Sequence, residues 1–141
     1  MWNSMIRRSI ATLVFVTAAA YSAAPAQGDP SPGDPFDGEW SVTATPDQAA
    51  AADGQGAFDE AVLFHAGQFS AAVFAMFGFT PAEYVVSFDT GRAVFKASLN
   101  SSDRGTLSWT GEETQTGMNG TLIWTRADGT DSVYELVGER Q

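Results

Sequence analysis

Residues 105–110 read Gly-Thr-Leu-Ser-Trp-Thr, and residues 120–125 read Gly-Thr-Leu-Ile-Trp-Thr. Each copy sets Leu and Trp two apart: Leu107 with Trp109, then Leu122 with Trp124. An extended backbone sends residues two apart to one face, whereas a helix turns them to nearly opposite sides. The intervening Gly111-Glu112-Glu113-Thr114-Gln115-Thr116-Gly117 is polar, with glycine at both ends. Two strands with one apolar face each, joined by such a segment, read as antiparallel neighbours. Asp128-Gly129 after the second copy is a hairpin signal. Tyr134, Leu136 and Gly138 then share one face of a last strand.

The same period of two extends upstream. Trp40, Val42 and Ala44 alternate with Ser41 and Thr43, and Phe58, Glu60, Val62 and Phe64 alternate with Asp59, Ala61, Leu63 and His65. Ala66-Gly67 turns the chain, and Phe69, Ala71 and Val73 return on one face. Tyr84, Val86 and Phe88 precede the turn Asp89-Thr90-Gly91, and Ala93, Phe95, Ala97 and Leu99 follow it. Two capping patterns interrupt the strands. Thr45-Pro46-Asp47-Gln48 opens an Ala-rich stretch, so a short helix is expected over 46–53. Thr80-Pro81-Ala82-Glu83 repeats the pattern and predicts one further helical turn.

The expected class is all-β, an antiparallel up-and-down meander of seven or eight strands with one short helix between strands 1 and 2. No segment forms the long helix that a parallel crossover needs. Closure into a barrel removes the edges of such a meander, with an open sheet or sandwich as the alternative. Gly120 and Gly138, inside strand patterns, are expected where the wall bends.

The N-terminus carries a different signal. Arg7-Arg8 precedes the uncharged run Ile10–Ala20, and Ala24-Pro25-Ala26 follows. That order reads as an export signal over residues 1–26, cleaved after Ala26. Eleven residues span only about 16 Å as a helix, short of a hydrocarbon core about 30 Å thick. Residues 27–35, Gln-Gly-Asp-Pro-Ser-Pro-Gly-Asp-Pro, read as a Pro/Gly-rich disordered tether, and 36–141 as the barrel domain. A periplasmic or extracellular location is expected.

Composition narrows the function. The chain holds 7 Lys and Arg against 17 Asp and Glu, with net charge −10. Removal of residues 1–26 leaves five cations against 17 acids, a net charge of −12. Nucleic-acid binding, which needs clustered cations, is not expected. Zero Cys excludes disulfides, Cys-zinc sites and thiol nucleophiles, and one His excludes multi-His metal centres. His65 stands beside a turn with no nucleophile or orienting acid at a telling spacing, and Asp128-Gly129-Thr130-Asp131 is a hairpin turn too short for a calcium loop. No catalysis, metal or cofactor is expected, and no membrane span. The chain is expected to act as a monomer.

Aromatic residues are the remaining clue, because 14 of the 17 lie in residues 27–141. Either they fill the barrel, or they line a cavity for a small apolar ligand. In the second case Trp109, Trp124, Tyr134, Phe95 and Phe64 are the candidate ligand-binding residues. Phe74, Phe77 and Phe79, in the apolar run 74–79, would then form a portal or a patch for a protein partner.

Phe36-Asp37-Gly38-Glu39-Trp40 opens the fold. A Gly-x-Trp at the first strand, a meander after it and a basic residue near the last strand resemble the calycin superfamily, which includes lipocalins. The resemblance implies that Trp40 closes the barrel bottom and that Arg140 packs across it. It also implies an exported, lipocalin-like binding module for a small apolar ligand. A filled barrel would instead imply an inhibitor-like or envelope-accessory interaction module.

Overall fold

A computed structural model describes residues 34–141. The export signal read over 1–26, and the tether up to residue 33, lie outside the described residues. Eight strands run in sequence order and close into one antiparallel barrel. They are β1 (Gly38–Pro46), β2 (Phe58–His65), β3 (Gln68–Ala71), β4 (Ala82–Asp89), β5 (Arg92–Ser101), β6 (Gly105–Glu113), β7 (Met118–Thr125) and β8 (Asp131–Arg140). Two short helices interrupt them, α1 (Gln48–Ala52) after β1 and α2 (Ala72–Ala75) after β3.

The period of two fixes the faces. In β5, Ala93, Phe95, Ala97, Leu99 and Ser101 point in and are buried. The repeated Leu and Trp positions lie on neighbouring strands as their spacing implied, with Leu107 opposite Trp124 and Trp109 opposite Leu122. Tight turns set the register. Ala66-Gly67 (φ 53° and 80°) and Thr90-Gly91 (φ 50° and 82°) are left-handed at both central residues. That is the hairpin geometry whose twist matches the strands it joins. Closure is made by β1 and β8, from Trp40↔Arg140 to Pro46↔Tyr134.

Three local expectations change. Helix α1 spans Gln48–Ala52, and its cap is Asp47, whose carboxylate accepts from the Ala50 N–H at 2.8 Å. Thr45 and Pro46 stay in β1, paired with β8. Strand β3 ends at Ala71, so Val73 leaves the inner face and is exposed on α2. The expected helical turn at 80–83 is absent: the Thr80 N–H donates to Asn100 O at 3.2 Å, and Ala82 already pairs with Phe69.

Phe36 enters the closed end of the barrel. The Trp40 Nε1–H donates to Phe36 O at 2.8 Å, and the Arg140 guanidinium lies 4.5 Å from the Trp40 ring centroid. Arg140 also donates to the carbonyls of Asp37 and Pro35. The Tyr84 hydroxyl donates to Asp34 at 2.5 Å. Asp34 and Pro35, the last two residues of the stretch read as a tether, are thus tied to the barrel end. Burial and the Asp34 carboxylate push the Tyr84 phenol far above its ordinary range.

Candidate functional site

From the closed end inward the barrel is full. Phe36 meets Phe95 at 5.1 Å between ring centroids, Phe95 meets Phe64 at 4.8 Å, and Phe64 meets Phe69 at 4.9 Å. Phe69 meets Trp109 at 5.1 Å, and Phe74 lies beyond at 6.1 Å. Edge contacts of this kind add about 0.5–1.5 kcal/mol per pair beyond area burial. Glycine makes the room. A Cβ on the inward Gly111 would strike the Phe95 ring and stand 3.2 Å from Met118 Sδ. Gly120 and Gly138, expected at bends, serve close packing: a Cβ on Gly120 would strike the Thr110 carbonyl, and one on Gly138 would stand 2.9 Å from Met118 Cγ.

Packing opens at the other end. A cleft of about 300 Å³ lies at the barrel mouth, between the α1–β2 segment, α2 and the β5–β6 turn. Phe58, Phe74, Phe77, Trp124 and Tyr134 supply its apolar lining. Phe74 is its floor, 5.6 Å from Phe58 and 5.9 Å from Trp124. Tyr134 donates its hydroxyl to Gln55 Oε1 at 3.0 Å, and burial raises its phenol above the ordinary range. Two cations frame the aromatic rim, Arg104 at 4.9 Å from the Phe77 centroid and Arg126 at 4.7 Å from that of Trp124. The Trp124 Nε1–H donates to Arg104 O at 2.8 Å, which fixes the indole at the rim. A second groove, about 350 Å³, runs along the outer wall of β1–β3 and is lined mostly by small side chains such as Ser41, Ala61, Ser70 and Ala72. It presents few ring faces, so the mouth cleft is the better-built site for an apolar molecule.

One buried charge holds the mouth in shape. Glu60 points inward from β2 and is 2% exposed. Its carboxylate accepts from the Val73 N–H at 2.7 Å and from the Phe74 N–H at 3.3 Å. Helix α2 has no cap of its own, because its N-cap residue is Ala71. Glu60 caps it from the neighbouring strand and so sets Val73 and Phe74 in the cleft wall. Burial raises its carboxyl above the usual range, and the backbone N–H donors oppose that rise.

The candidate residues therefore separate. Trp124 and Tyr134 line the cleft, while Phe64, Phe95 and Trp109 lie in the packed interior. Trp109 Nε1 and Ser132 Oγ are buried with no hydrogen-bond partner among the described residues. Of the run 74–79, Phe77 is 44% exposed at the rim, Phe74 is the floor, and Phe79 is buried against both Phe74 and Trp124. Sequence reasoning did not assign Gln55, Phe58, Glu60 or Arg104 to the site. Phe58 and Glu60 gave a signal, both in the inward alternation of β2, with Glu60 a carboxylate on an otherwise apolar face. His65 is exposed at the far end of β2, opposite Gln68. No group of three or more acids or histidines able to hold a metal exists among the described residues, and no described helix is long and apolar enough to cross a membrane. Comparison of the chain with family models, with curated proteins and with solved structures gives no match.

Proposed function

We propose that this protein is an exported, calycin-like binding module, and that it holds a small apolar ligand in the cleft at the barrel mouth. The observation that carries this reading is the cleft itself: five aromatic side chains, from four elements and the segment after α2, converge on about 300 Å³ of open space. A site of that size suits a two-ring molecule rather than a long lipid chain. The filled interior leaves no room for a ligand along the barrel axis, so the small-ligand reading rests on the mouth cleft. No group in the cleft is assigned a catalytic role. The eight-stranded meander, the Gly38-Glu39-Trp40 opening and Arg140 over Trp40 support the calycin likeness.

Naphthol is a suitable probe, followed by tryptophan fluorescence and native mass spectrometry. Its size gives an expected Kd of about 10 µM to 1 mM. Phe77→Asp, at a rim position, should weaken binding about tenfold or more, because a charge is then desolvated against the ligand. Val137→Asp on the outer wall should leave it unchanged. Failure to see saturable one-to-one binding, or equal loss in both variants, overturns the reading. Export is tested separately: the N-terminus of the protein recovered from an exporting cell should be Gln27.

One observation favours a second reading, a protein partner at the same end. Val73, Met76 and Phe77 leave apolar surface on and just after α2, with Met76 81% exposed. A partner whose capture survives Phe77→Asp would not be using this patch.

A further inference from the structure

Strand β4 outruns the strand beside it. Residues Tyr84–Asp89 pair with β5 along their whole length. Strand β3 reaches only Gln68↔Glu83 and Phe69↔Ala82 before the Ala66-Gly67 turn ends it. The Tyr84 N–H donates to Gly67 O at 3.3 Å, and past that point no described residue pairs with the far side of β4.

The register says which groups are free. In a hairpin closed by two residues, the flanking pair exchanges both hydrogen bonds, and bonding alternates from there. Here that pair is Asp89↔Arg92, so Ser87 and Val85 bond to β5. Val86 and Phe88 therefore turn their N–H and C=O groups to the open side. Apolar side chains flank this row on both faces, Val85 at 66% exposure and Phe88 at 68%. Phe88 shares the inward-facing set with Tyr84 and Val86, and it is exposed because β3 does not extend far enough to cover it. Proteins commonly blunt such an edge with lysine, proline or a bulge. The run Tyr84-Val85-Val86-Ser87-Phe88 carries no lysine or proline, and its pairing with β5 is continuous.

Charge selects the occupant. A second copy could satisfy the free groups only by setting Val86 opposite the other copy's Phe88, because Gln68 already occupies the place beside Glu83, and it would bring two acidic chains together. Each copy carries net charge −10, which opposes that approach. Asp34, bonded to Tyr84, adds a carboxylate near the start of the edge. The nearby cations Arg92 and Lys96 stand on β5, on the side away from the opening, and Arg92 is bound to Glu112 at 2.9 Å.

We propose that the open edge of β4 receives an extended basic peptide segment as an added strand. Its apolar residues meet Val85, Val86 and Phe88, one Lys or Arg lies beside Asp89, and another reaches past the end of the opening toward the exposed Glu83. This surface is separate from the mouth cleft, and it stands whether or not the cleft binds an apolar molecule.

Amide hydrogen exchange read by NMR tests it with the blocked peptide Lys-Val-Thr-Val-Val-Thr-Lys and a twin ending in Glu at both ends. In the free protein the Val86 and Phe88 amides should exchange fast. Millimolar lysine-ended peptide should slow both by about tenfold or more, with Val85 and Ser87 amides unchanged. The exposed double variant Glu83→Lys/Asp89→Lys should transfer the preference to the glutamate-ended twin. Four results overturn the proposal: no protection by the lysine-ended peptide, equal protection by both peptides, slow exchange already present in the dilute free protein, or protection that rises with protein concentration alone. The third would mean that the chain covers its own edge, and the fourth that a second copy does.

Discussion

Gly111→Ala tests whether the barrel is full at the level of Phe95. The added Cβ would strike the ring edge at Cε1, stand 3.0 Å from Cδ1 and stand 3.2 Å from Met118 Sδ. The Phe95 ring cannot retreat, because Phe64, Phe36 and Phe69 hold it at centroid distances of 4.8, 5.1 and 5.5 Å. Overpacking of this kind costs about 1–3 kcal/mol. Replacing glycine inside a strand recovers about 0.5–1 kcal/mol of backbone entropy. The expected net loss is about 0.5–2 kcal/mol, with both terms acting at once. In a Phe95→Leu background the ring is gone, and the same substitution becomes neutral or stabilising. The coupling between the two sites is then about 1–3 kcal/mol, well above the roughly 0.5 kcal/mol scatter of independent sites. Urea unfolding followed by fluorescence of Trp40, Trp109 and Trp124 measures all four corners of the cycle. With a slope of about 1–3 kcal/mol per molar urea, the single variant should lower the midpoint by about 0.2 to 2 M. Additive effects, or a more stable Gly111→Ala protein, would refute the packing. The interior would then hold space at Phe95, and the ligand site would have to move inward from the mouth.

Two further outcomes follow from the mouth and the turns. Glu60 has its folded-state carboxyl raised by burial, so its contribution to stability is full below the unfolded value of about 4.3 and is lost as pH climbs through the raised folded value. The melting temperature of the wild type minus that of Glu60→Gln should therefore fall as pH rises from about 4 toward neutrality; a flat or rising difference contradicts the assignment. Ala66 sits at φ 53° in front of Gly67 at φ 80°. Ala66→Asn should stabilise the hairpin by about 0.5–1 kcal/mol, since asparagine tolerates this region better, and raise the melting temperature by roughly 2–8 °C. A lowered melting temperature would exclude this turn geometry.

How the site was put together explains why only part of it could be read from the chain. Trp124 and Tyr134 were legible because alternation placed them with Leu122 and Leu136 on inward faces. Phe77 was expected at a portal, and Phe58 shares the inward alternation of β2, but Gln55 and Arg104 lie in loops that no local pattern ties to the site. Glu60 was visible as an anomaly, but its partners are backbone N–H groups, which carry no sequence signature. Phe88 misled in the opposite direction. Its alternation is correct, yet the neighbouring strand stops short of it.

Periodicity, turn residues and composition determined by themselves that the chain forms antiparallel hairpins, which side chains share each face, and that no helix bridges parallel strands. Those properties are local, set by the pleat and by φ at a few turn positions. Tertiary structure decided the length of β3, the fate of the residues beyond Ala71, and whether fourteen aromatic rings line a space or fill it. Such outcomes depend on how side-chain volumes fit a closed wall of fixed circumference, and each ring's place is settled by neighbours far away in the chain. The cleft is what that fit leaves open where α2, capped by a carboxylate from another strand, turns across the mouth.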